Sequence, residues 1–93
     1  MAQDEAAQTL ALQALGWLAS QDELFPTFLT ASGAGLQDLA LRAGDPEFLG
    51  AVLDFLLMED QWVIAFCDAM GLPYTQPLAA RAALPGGAGP HWT

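Results

Sequence analysis

"AVLDFLLMEDQWVIAF", Ala51 to Phe66, is the stretch on which the fold turns. It is apolar enough to suggest a membrane span, yet Asp54, Glu59 and Asp60 lie inside it and Asp68 follows. A span of sufficient length would hold Asp54 and the Glu59-Asp60 pair near its middle, each costing about 2.5 to 3.5 kcal/mol at the centre of a bilayer. The stretch therefore reads as two helices meeting at an acidic corner. Each is too apolar to lie on a surface with one face covered, so together they are expected to form the central layer of a water-exposed bundle.

Boundary signals extend this reading in both directions. Asp45-Pro46 supplies an N-cap followed by proline at the first helical position, so the helix before the corner should run from about Pro46 to Met58. The helix after it starts at Glu59-Asp60 and ends at Met70, before Gly71. A last helix is expected from Thr75 or Gln76 to Leu84, with Pro77 in its first turn. Upstream, Ala7, Leu10, Ala11, Ala14, Leu15 and Leu18 share one face of a helix over about Asp4 to Ala19. Ser20 and Glu23 have the spacing of a capping box for a helix over roughly Gln21 to Ser32, in which Pro26 should cause a kink or a tight entry. Gly35 then opens a short helix over Leu36 to Ala43, closed by Gly44.

The fold class is thus all-α: a compact bundle of five or six short helices forming a single domain over residues 1–85, followed by a flexible glycine- and proline-rich tail over 86–93. A shift of 38 positions brings Leu15 onto Leu53, Leu18 onto Leu56, Phe28 onto Phe66 and Gly33 onto Gly71. After one inserted residue, Leu39 meets Leu78 and Arg42 meets Arg81. Two such units suggest a pseudo-twofold duplication of a helix-helix-helix unit rather than a solenoid, which usually needs three or more repeats.

The 93 residues carry 11 acids, no lysine and two arginines, for a net charge of −9. That field repels phosphates, so direct nucleic acid binding is not expected. A chain of this size buries roughly 60 to 65% of its unfolded surface, so an apolar share of 54% implies a rich core or an interface. The acidic start "MAQDEAAQ" lacks the basic character of a signal peptide, and one cysteine cannot form an internal disulfide. A soluble cytoplasmic protein with no membrane association is the expectation.

Most acids fall at helix starts and both arginines near helix ends, where the backbone dipole favours them. Asp54 and Asp68 do not. Asp54 either faces water or forms a structural ion pair with Arg42 or Arg81 between the two units, whereas Asp68 should face solvent. No residues suggest catalysis or a cofactor. Cys67, between Phe66 and Met70, reads as a buried structural thiol, and no Cys/His or acidic spacing suggests a metal. Trp17, Trp62 and the five phenylalanines read as core before ligand cavity. His91 and Trp92 could form a terminal recognition motif.

The runs "LALQALGWLAS", "AVLDFLLMEDQWVIAFCDAMGLPY" and "ARAALPGG" together resemble a family of uncharacterised small helical proteins from alphaproteobacteria, a domain of unknown function. The resemblance spans nearly the whole chain and implies a compact helical domain. It brings no activity, cofactor or site residue. The leading functional expectation is a non-catalytic protein-protein interaction module whose surplus apolar surface, around Trp62, Phe55 or Leu57, meets another protein or a second copy. The alternatives are an acidic nucleic-acid mimic regulating a basic protein, if the carboxylates gather on one face, and a carrier of a small apolar ligand.

Overall fold

A computed structural model of the chain describes residues 2–84. Among them lie six α-helices and no strand: α1 (Ala2–Ala19), α2 (Leu24–Ser32), α3 (Leu36–Arg42), α4 (Pro46–Leu56), α5 (Asp60–Met70) and α6 (Gln76–Ala82). None of the described helices is long and apolar enough to cross a membrane. The tail expected over 86–93, with His91 and Trp92, lies outside the described residues.

The boundaries follow from local chemistry. Asp45 caps α4, its carboxylate accepting from the Glu47 N–H at 3.0 Å. At the start of α3 the Asp38 carboxylate reaches back to the Gly35 N–H at 3.1 Å. Helices α2 and α5 end on Gly33 and Gly71, whose φ of 74° and 71° is the left-handed conformation that glycine adopts without a Cβ penalty.

The boundary between α1 and α2 differs from the sequence reading. Ser20 does not cap the second helix: its hydroxyl donates at 2.6 Å to the Trp17 carbonyl and closes the end of α1. Consequently α2 starts at Leu24, and Glu23 at its N-cap makes no side-chain capping bond. The later start places Pro26 third in the helix, within the first turn, where its missing N–H has no intrahelical partner to lose. The anticipated kink is therefore unnecessary.

Helix α4 is the centre of the molecule, burying Phe48, Leu49, Gly50, Val52, Leu53, Phe55 and Leu56. It packs most extensively against α1, whose buried Ala7, Ala11 and Ala14 permit close approach; α6 lies against both, and α2 against both as well. Helix α5 is not the second half of a central layer. It buries Val63, Phe66 and Cys67 on one face and leaves Ile64, Ala65, Ala69 and Met70 exposed. The reason is periodicity: Val63, Phe66 and Cys67 form one stripe, and the other faces mix polar residues and alanine with exposed Ile64 and Met70. The radius of gyration of 12.3 Å is that of a well-packed chain of this length, about 12 Å.

Many positions 38 apart share their environments through the first two helices of each half, although Leu12 is exposed where Gly50 is buried. Leu10, Ala11, Ala14, Leu15, Trp17 and Leu18 correspond in sequence to Phe48, Leu49, Val52, Leu53, Phe55 and Leu56, and all are buried. One pair of ring contacts shows the same exchange. Trp17 meets Phe66 edge-on at 5.9 Å and 66°; with the halves interchanged this pair becomes Phe55 against Phe28, at 5.4 Å and 68°. Correspondence stops at the third helix of each half. Arg42 is exposed whereas Arg81 is buried, and Leu39 is half-buried whereas Leu78 is 64% exposed, so the one-residue insertion that pairs these residues leaves them in different settings.

Candidate functional site

The chemistry-bearing residues fall into two groups: single polar groups absorbed by the fold, and a cleft between α2 and α4. Cys67 belongs to the first. It is fully buried, its thiol donates towards the Pro73 carbonyl at 3.5 Å, and burial together with the neighbouring Asp68 charge raises its pKa above the ordinary 9.0. Such a thiol is a poor nucleophile at neutral pH. Asp68 is exposed and accepts a 2.7 Å hydrogen bond from the Tyr74 hydroxyl across the Gly71 turn. That bond and the Asp68 charge raise the Tyr74 pKa. Sequence reasoning did not find this contact, because its six-residue spacing meets only through the turn.

The cleft is built from aromatic residues upward. Phe28 of α2 and Phe55 of α4, both buried, meet edge-on and form its floor. Ala31 and Ser32 line the α2 wall; Ala51, Asp54 and Met58 line the opposite one. Small residues at this crossing leave an open cleft of about 290 Å³. Met58 stands at its mouth, 67% exposed. On the other side of Phe55, Trp62 stacks on the ring at 4.9 Å and 21°, extending the apolar surface around the α4–α5 corner. Of the three residues singled out from sequence, Phe55 is therefore a floor rather than a projection, while Leu57 and Trp62 are half-buried.

Asp54 joins the cleft to α6. Its carboxylate accepts from Arg81 Nε at 2.5 Å and Nη2 at 3.0 Å, a two-pronged arrangement that fixes the guanidinium plane. The pair is asymmetric: the Arg81 side chain is 10% exposed and that of Asp54 54%. Arg42 stands elsewhere, its guanidinium 5.7 Å from the centre of the Phe48 ring. Trp17, Phe48 and Phe66 are core; Phe25 is half-buried.

A second cleft, of about 300 Å³, lies between α1 and α6, walled by Ala6, Ala7, Ala79, Ala80 and Ala83 with Gln76 as its one polar side chain. It offers no converging chemistry. Among the described residues, no three His, Cys, Asp or Glu side chains are placed to hold a metal ion.

Comparison with known proteins gives one match. The family model described as "Protein of unknown function (DUF3572)" matches residues 4–87, which is most of the chain, and the chain belongs to that family. No curated protein and no solved structure matches.

Proposed function

We propose that this member of the DUF3572 family is a non-catalytic protein that works by binding another polypeptide through the α2–α4 cleft and the adjoining α4–α5 corner. The observation that carries the reading is Met58: a large apolar side chain 67% exposed at the mouth of a cleft floored by Phe28 and Phe55, with half-buried Leu57 and Trp62 beside it. Single exposed apolar residues are ordinary, but a continuous patch running into a cleft is a feature of contact surfaces. The cleft is at the small end for a ligand pocket, and Asp54, the one ionised group in its lining, already has Arg81 as a partner. A protein surface uses such a cleft better than a small molecule does. In this reading the two halves are a pseudo-twofold duplication that supplies a stable frame, and the protein works in the cytoplasm.

The native assembly tests this. In extracts of cells producing the protein at its natural level, the wild-type chain is expected to migrate as part of a larger species, and Met58→Glu as the free monomer. Wild type running as a monomer throughout, or a larger species indifferent to Met58→Glu, would contradict the reading.

A further inference from the structure

The charge around the cleft narrows the class of partner. Along α4, Glu47, Ala51 and Asp54 follow at helical spacing and are all exposed, so they form one solvent-facing stripe, and exposed Met58 follows in the turn after the helix. With a rise of 1.5 Å per residue the stripe from Glu47 to Asp54 is about 10 Å long, the reach of two helical turns. Glu59 and Asp60, also exposed, follow Met58 in the chain at the start of α5. The opposite wall, "LFPTFLTAS" of α2, carries no charge. One arginine, Arg81, is committed to Asp54; the other, Arg42, sits on α3 over Phe48. The cleft is therefore apolar at its floor, its one lining carboxylate is paired with Arg81, and exposed Glu47, Glu59 and Asp60 flank it in a chain of net charge −9.

Comparing the halves shows where the cleft departs from the shared pattern. The positions 38 away from Ser32, Asp54, Phe55 and Met58 are Met70, Gly16, Trp17 and Ser20. Smaller side chains stand at Ser32 and Phe55 than at their counterparts, which opens space, while the acid and the methionine have no equivalents. Hollow, carboxylate and exposed apolar side chain thus coincide in one half.

Resting on the interaction reading above, we infer that the α2–α4 cleft receives the apolar face of a basic amphipathic helix from another protein. Apolar anchors at i, i+3 or i+4, and i+7 enter between Ala31, Ala51 and Met58, and flanking lysines or arginines face the exposed acids Glu47, Glu59 and Asp60 rather than Asp54, which Arg81 holds. A second copy of this chain fits less well. It brings another nine net negative charges, and a symmetric contact through this cleft sets one acidic surface against the other.

The probe is a synthetic leucine/lysine peptide whose leucines repeat at i, i+3, i+4 and i+7, set against a scrambled isomer of identical composition and a leucine/glutamate counterpart. All are titrated into the full-length isotope-labelled protein at physiological and at raised salt. The expected result is binding of the amphipathic basic peptide, with shifts concentrated at the Met58 methyl and the amides of Ala31, Ser32 and Ala51. Affinity should fall by about tenfold or more in Ala51→Arg and in Met58→Glu and stay within about twofold in Leu78→Arg, which alters an exposed side chain of α6. Absence of binding, equal binding of the scrambled isomer, or shifts spread over acids remote from the cleft would each overturn the inference. If the native assembly depends on Met58 while the peptide fails, or if that assembly is a homodimer, the basic-helix inference falls and the interaction reading stands. A monomeric wild type in extracts removes the interaction reading itself.

Discussion

The Asp54–Arg81 pair is the most consequential polar contact in the bundle, because the guanidinium is buried on α6 and the carboxylate supplies its charge partner from α4. Asp54→Asn keeps the shape and removes the charge, so a loss of about 1–2 kcal/mol is expected as a lower urea midpoint, reduced from the value for a fully buried pair by the exposure of Asp54. An unchanged midpoint would show that α4 and α6 are held by packing alone. Titration makes a second prediction. The Cys67 and Tyr74 pKa values are raised above the ordinary 9.0 and 10.0, by burial and by the bond to Asp68 respectively. For both groups the unfolded chain loses its proton first, so the Cys67 contribution is fully present below pH 9.0 and that of Tyr74 below pH 10.0, and each is lost as the pH climbs through its raised value. Cys67→Ala should flatten the early part of this alkaline decline and Tyr74→Phe the later part. A decline of unaltered slope in both variants would contradict the assignment. Of these residues, Cys67 and Asp68 had the environments expected from sequence, buried and exposed respectively. Tyr74 passed unnoticed because a tyrosine beside a proline carries no local signal for a partner six residues back.

At the level of helices, stops and starts were legible wherever a residue can serve one purpose only. Asp45-Pro46 can only begin a helix, and Gly33 and Gly71 end α2 and α5 through a conformation other residues resist. Ser20 was misread because a hydroxyl can serve either end of a helix; Pro26 then fixed the answer by requiring a first-turn position. Helix α5 was over-weighted because an apolar run interspersed with alanine has the same composition whether one face or two are covered. Gly71 offers a direct check on the helix ends. A Cβ there meets nothing within 4 Å, so Gly71→Ala should destabilise by about 1–2 kcal/mol through backbone strain alone. Gly44, equally unhindered but without positive φ, should accept alanine with no loss or a small gain. Equal effects at the two sites, read by thermal unfolding, would remove the conformational explanation.

For the molecule as a whole, the sequence carried the all-α class, since that rests on periodic apolar residues. It did not reveal the cleft. Ala31, Ser32 and Ala51 look like ordinary surface residues until α2 crosses α4, when their small size becomes a hollow beside Met58. Most acids read as helix-start residues, and Asp38 and Asp45 do act there, yet Glu47, one of them, shares a stripe of α4 with Asp54, which is not. The central claim is that this hollow is a contact surface for a different polypeptide. Site-specific photo-crosslinking in living cells tests it most directly, with the reactive residue placed at Met58 and, as a control, at exposed Gln13, the counterpart of Ala51 in the other half. The account predicts one adduct of defined mass at Met58, other than twice the mass of this chain, and none at Gln13. No adduct at Met58, or the same adducts at both positions, would contradict it.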